Sequence, residues 1–121
     1  MLESQKRGLE LVEGYMEKGY TFNNIIYLRM DLMLQQEIPI DKIISNTNKI
    51  YIPNHSNYEG FNDQIAIMNY NNACIYGKRI IELADFRKTN GRIVGEKYLK
   101  YIIDKYHIQI NMISLQYYIQ R

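Results

Sequence analysis

The sequence predicts an α/β fold, a small mixed sheet flanked by helices, and three observations carry that prediction. Apolar residues recur at helical spacing in three stretches, short β-branched runs lie between them, and the final stretch alternates apolar with polar residues. Helical and extended segments mix along the chain without clean β-α-β repetition, so the sheet is expected to be mixed.

Residues 2–18 place Leu2, Leu9, Val12 and Met16 on one helical face, and Gly19 stands where a helix end favours a left-handed residue. Residues 25–28, Ile-Ile-Tyr-Leu, have no period of two and read as a strand buried on both faces. Over residues 32–48 the signal weakens to a loop with one helical turn: Pro39 interrupts it, Asp41 can cap the turn, and residues 45–48 are polar. A second strand spans 49–54 with Pro53 marking its end, a polar loop follows over 55–60, and 64–68 reads as a short third strand. Residues 71–86 carry Ala73, Tyr76, Ile80, Leu83 and Ala84 at helix spacing, and Asn90-Gly91 closes a loop after them. A third helix over 95–106 faces inward with Leu99, Ile102, Ile103 and Tyr106. The tail from Ile108 to Ile119 alternates as a strand, with a phase slip near Met112 that calls for a bulge or a turn.

A chain of 121 residues, 46% hydrophobic and 23% charged, suits one domain over 1–121 and argues against disorder, collagen-like repeats and coiled coils. Its 15 basic and 13 acidic residues are scattered, so the net charge of +2 gives nucleic-acid binding no support. Cys74 has no second cysteine to pair with, no run approaches the ~18 apolar residues of a membrane helix, and the first eight residues do not read as a signal peptide. A reducing, cytoplasmic compartment is the expectation.

Two segments can carry chemistry. In Arg29-Met30-Asp31, at the end of the first apolar strand, a carboxylate can hold a divalent cation bridging a diphosphate, and an arginine two residues away can steady phosphate charge. The plainer alternative is an ion pair at a strand end. In Gly60-Phe61-Asn62-Asp63-Gln64-Ile65-Ala66, Asn62 and Gln64 can read sugar hydroxyls and Asp63 can act as general base, while Gly60 permits close backbone approach. The plainer alternative here is a turn that caps the next element.

In this order the two segments resemble elements of the C-terminal part of bacterial and viral glycosyltransferases that build surface polysaccharides and lipopolysaccharide-type glycans. The resemblance covers residues 20–121: an R-x-D strand end (Tyr27-Leu28-Arg29-Met30-Asp31), a strand like Lys49-Ile50-Tyr51-Ile52-Pro53, a G-x-N-D-Q-x-A element (Gly60 to Ala66), an aromatic-rich helix over 71–79, a glutamate opening a helix (Glu96), and a final strand closing in arginine (Tyr118-Ile119-Gln120-Arg121). It implies a GT-A-like fold and transfer of a sugar from a nucleotide sugar to a glycan acceptor. Asp31 would stand at the metal and diphosphate site with manganese or magnesium, and Arg29 beside the phosphates. Asn62, Asp63 and Gln64 would line the acceptor side, Gly60 would be substrate-binding, and Asp63 and Glu96 would lie near the acceptor or the reacting sugar. Two departures qualify it. Val94-Gly95-Glu96 stands where the family shows a His-Pro-Glu-like approach, and one helix precedes Ile25 where a complete enzyme has nucleotide-holding strands. The second departure implies a truncated domain or a second chain that supplies the nucleotide-binding half.

A different class of function comes from laying residues 99–113 onto a helix-turn-helix, with His107-Ile108 in the turn and a recognition helix from Met112, as in a phage-type DNA-binding regulator. Against it, Ile103 occupies a position that favours a small side chain, and residues 110–120 contain no lysine or arginine for phosphates. His55 and His107 lack partners at metal-ligand spacing and read as surface residues, and Cys74 reads as packing. Most of the 12 tyrosines are expected at core-facing positions, and Lys97, Lys100 and Lys105 on a solvated helix face.

Overall fold

The computed structural model describes residues 1–44, 48–92 and 94–120. The polar stretch at 45–47 and the closing arginine at 121 lie outside the described residues.

A four-stranded mixed sheet organises the chain, with the longer helices on one face and a small two-stranded sheet and one short helix on the other. Helix α1 (Leu2–Glu17) ends as Gly19 takes a φ of 99°, with Tyr20 N–H donating to the carbonyl of Tyr15 and Gly19 N–H to that of Met16. This is the reciprocal pattern that satisfies a helix's last carbonyls. Strand β1 (Ile25–Leu28) pairs antiparallel with β4 (Ile65–Met68), which pairs antiparallel with β3 (Lys49–Pro53), which pairs parallel with β5 (Gln109–Ile113). β4 lies inside the sheet and all four of its side chains are buried.

β1 departs from the sequence expectation. It is an edge strand, so only Tyr27 is fully covered, while Ile26 and Leu28 remain 38% and 48% exposed. Residues 32–34 also differ, forming strand β2 (Leu32–Leu34) where a loop was expected. β2 pairs antiparallel with β6 (Tyr117–Ile119), a partner so distant in sequence that no local pattern announces it. Between β2 and β3, the short helix α2 (Ile40–Ile44) is the expected helical turn, with Asp41 in its first turn.

The single helix expected over 71–86 is three pieces: α3 (Tyr70–Gly77), a 3-10 turn (Arg79–Glu82) and α4 (Leu83–Asn90). Asn69 starts α3 by accepting the Asn72 N–H at 2.8 Å. The break follows Gly77, where the helix lies against the Tyr27 hydroxyl, and is fixed by Arg79. That side chain is only 2% exposed, donates to the Tyr76 carbonyl at 2.7 Å and sits 4.2 Å from the centre of the Tyr76 ring. The Arg79 carbonyl in turn accepts from the Tyr98 hydroxyl, which an uninterrupted helix would deny it.

Helix α5 (Gly95–Lys105) buries Tyr98, Leu99, Ile102 and Ile103, whereas Tyr106, expected on that face, is 42% exposed and donates to Glu82. The tail resolves its phase slip by dividing into β5 and β6, the second crossing to β2. Residues from Met112 onward therefore supply strands and not a recognition helix. Of the 12 tyrosines only Tyr27, Tyr51, Tyr76 and Tyr98 are buried, fewer than expected, because most of the others lie on α1, in loops or near the strand ends.

The main core packs Ile50, Ile52, Ala66 and Met68 of the sheet with Leu9 of α1, Ala73 and Tyr76 of α3, and Leu99 and Ile103 of α5. On the opposite face Leu32, Ile65 and Leu115 form one cluster and Ile43, Tyr51 and Ile67 another. Cys74 packs at the edge of the main core. Among the described residues no helix is long and apolar enough to cross a membrane.

Tyr27 donates its hydroxyl to the Ala73 carbonyl at 3.0 Å and stacks on Tyr76, and that same hydroxyl fills the space a Gly77 side chain would need. Gly77→Ala is expected to destabilise by about 1–3 kcal/mol in urea unfolding. The penalty should shrink in a Tyr27→Phe background, and an unchanged penalty there would show the clash to lie elsewhere.

Candidate active site

The sequence-derived residues gather at one end of the sheet, where β1 finishes, β4 begins and β6 returns. The connecting loop is strained: Ser56, Tyr58 and Glu59 have φ of 59°, 45° and 64°, left-handed values that non-glycine residues adopt rarely. It is held by Asn62, which is completely buried. The Asn62 N–H donates to Asn57 Oδ1 at 2.8 Å. Its Nδ2 donates to the His55 carbonyl at 2.8 Å and the Tyr117 hydroxyl at 2.7 Å, and its Oδ1 accepts from the Gln64 N–H at 2.8 Å. Tyr117 then donates to Gln64 Oε1 at 2.5 Å. Asn62 therefore organises the loop and ties Gln64 and Tyr117 to it.

His55 is exposed, as expected, but it is not idle. Its ring lies 4.9 Å from that of Tyr117, and Nε2 is 3.1 Å from the Leu115 carbonyl. A carbonyl only accepts, so Nε2 carries a hydrogen, and Nδ1, 3.1 Å from Ser56 Oγ, is placed to accept a hydrogen bond from that hydroxyl.

Asp63 and Glu96 meet at the start of α5. Gly60 is pressed against the Glu96 backbone so closely that any β-carbon there would strike the Glu96 carbonyl, and that carbonyl accepts from Phe61 N–H at 3.0 Å. Gly95 similarly leaves room for the Asp63 carboxylate, which is 8% exposed and lies where the helix dipole favours negative charge. Burial, reinforced by the charge of Asp63 and a hydrogen bond with it, holds the Glu96 carboxyl above the usual carboxylate range. A Glu96 carboxyl that keeps its proton can donate a hydrogen bond to Asp63.

Arg29 and Asp31 form a two-pronged ion pair, Nε to Oδ1 at 2.9 Å and Nη2 to Oδ2 at 2.8 Å, with both side chains about one-third exposed. The Arg29 N–H donates to the Gln64 carbonyl at 3.0 Å, so the pair is anchored directly to the Asn62 loop. Asp31 chiefly, with Asp63 and Tyr117 further off, favours the charged guanidinium. As a cation site this arrangement is not preformed. Both Asp31 oxygens are clasped by Arg29, and among the described residues no three His, Cys, Asp or Glu side chains converge.

The fold thus brings Arg29, Asp31, Gly60, Asn62, Asp63, Gln64 and Glu96 to one region, together with His55, Asn57, Gly95 and Tyr117, which the sequence reading passed over. Tyr117 carried no local signal, since it looks like any position of an alternating strand. Compared with protein-family models, curated proteins and solved structures, the chain matches none.

Glu96 keeps its proton in the folded protein at pH values where the unfolded chain has lost it, so stability should fall as pH rises from the ordinary glutamate value of about 4 toward neutrality. Glu96→Gln, which mimics the protonated form, should flatten that dependence and raise the melting temperature at neutral pH. A lower melting temperature than the parent chain at neutral pH would refute the assignment.

Proposed function

We propose that the chain is a glycosyltransferase-like domain that transfers a sugar from a nucleotide-sugar donor to a glycan acceptor. The observation that carries this reading is the Asp63–Glu96 carboxyl pair beside Gly60, with Asp63 buried, Glu96 half-buried and Asp63 within electrostatic reach of Arg29. In the proposed step the acceptor hydroxyl oxygen forms a bond to the anomeric carbon as the bond from that carbon to the diphosphate oxygen breaks. Asp63 takes the hydroxyl proton, and Glu96 orients Asp63 through their shared hydrogen bond. Arg29, a planar donor of paired hydrogen bonds, meets the charge that grows on the departing diphosphate. Gln64 and Tyr117 offer polar groups to the sugar at the entrance, and Asn62 holds both in place.

Manganese or magnesium belongs to this reading as a companion of the diphosphate. It would meet the protein through Asp31, which must then release an oxygen from Arg29.

Titrating UDP- and GDP-sugars into the chain, with and without manganese, should give weak binding that the cation strengthens, and Asp31→Ala should abolish the cation's contribution. Asp63→Asn should lower transfer to a glycan acceptor by about 100-fold or more while leaving donor binding intact. Transfer that survives Asp63→Asn would remove the proposed base. Absence of both cation-dependent binding and transfer would remove the reading.

A further inference from the structure

A hollow of about 650 Å³ lies along α4 and α5, outside the cluster described above and bordered by Val94 and Lys97, which flank Glu96 in sequence. Its size falls within the range of small-molecule sites, about 300–1,000 Å³. Phe86 and Tyr101 give it an aromatic wall, with ring centres 5.0 Å apart, and Asn90 adds an amide. Two ion pairs stand on its rim: Lys97 with Glu59 at 3.0 Å and Lys100 with Asp104 at 2.6 Å. Arg92 also lines it and, among the described residues, has no acidic partner.

We propose that this hollow binds a carbohydrate unit bearing one negative charge, and that it is the acceptor subsite of the reaction above; the acceptor role, though not the binding, rests on that reading. The chemistry of the lining selects the ligand. A pyranose presents an apolar C–H face that packs on an aromatic ring, and hydroxyls that both donate and accept around its edge. Tyr101 meets the first need. Asn90, the carboxylates of Glu59 and Asp104 and the ammonium groups of the two lysines meet the second.

Five charged groups at the rim disfavour a purely apolar ligand, because it would displace their water and offer no hydrogen bonds in return. A nucleic acid needs several cations in a row, and here both lysines are already neutralised, leaving one net positive charge on Arg92. One carboxylate on a sugar matches that single charge. The two rim pairs are largely exposed, so rotating them to meet hydroxyls is inexpensive. A sugar seated against Val94 and Lys97 lies beside the first turn of α5, where the carboxyl pair stands.

Methyl β-glucuronide, methyl β-glucoside and inorganic phosphate titrated separately into the full chain, followed by backbone and aromatic NMR shifts, test the proposal. The glucuronide should bind with shifts at Tyr101, Asn90 and Val94, and the glucoside should bind roughly fivefold more weakly at the same residues, as expected for loss of one exposed charge-assisted contact. Arg92→Gln should reduce the glucuronide to the glucoside's affinity without changing the melting temperature. Equal affinity of the two sugars, indifference to Arg92→Gln, or no binding of either sugar would overturn the proposal. So would phosphate competing with the glucuronide without moving Tyr101, since that marks an anion contact and no carbohydrate site. Donor binding does not enter any of these measurements, so glucuronide binding without nucleotide-sugar binding would retain the subsite and refute only the transferase.

Discussion

The buried amide of Asn62 is the constraint on which the candidate site depends. Three non-glycine residues in left-handed conformations carry a cost of roughly 1–3 kcal/mol each, and a loop keeps such geometry only when its surroundings over-determine it. Asn62 provides that over-determination with four hydrogen bonds that reach Asn57, His55, Gln64 and Tyr117, joining the loop, the first turn into β4 and the returning strand β6. Because the amide is fully buried, each bond is made without competition from water, and losing one would leave a polar atom unpaired in the interior.

Charge is arranged around this latch in two contrasting pairs. Arg29 and Asp31 satisfy each other at the half-exposed rim, where an incoming phosphate group can compete for the guanidinium. Asp63 and Glu96 are like-charged groups brought into contact further in, a placement tolerable because burial favours the neutral form of Glu96. The glycines at positions 60 and 95 make that contact possible by removing side chains from the crossing of loop and helix. Structural economy alone would not select two carboxyls for such a place, since apolar groups of similar size would fill it without the electrostatic penalty.

The sequence made the main features legible where the signal was local. Strand β3 ends at a proline, α1 ends at Gly19, and α5 shows its buried face in Leu99, Ile102 and Ile103. Gly60 and Asp63 stood together in one short motif, and Glu96 entered through the resemblance as a glutamate opening a helix. What escaped depended on residues far apart. β2 exists only because β6 lies beside it, β1 is half exposed because it stands at the edge of the sheet, and the helix break after Gly77 comes from Tyr27 and Arg79 acting across the core. Tyr117 became visible as a site residue only when its strand was placed against Asn62 and Gln64.

The parallel ladder between β3 and β5, which sets Lys49 against Gln109 and Pro53 against Ile113, has a consequence for how the protein acquires its site. Pairings between residues so distant close large loops, and such contacts are slow to form relative to helices and hairpins. β6 then joins β2 across a still longer loop, carrying Tyr117 to Asn62 as it does so. The helices and the β1–β4–β3 layer can therefore gather before the site exists, and the polar cluster is among the last parts of the molecule to be assembled. The same order run backward makes β6 a place where the protein can open locally, exposing Asn62 and releasing the strained loop while the main core remains packed.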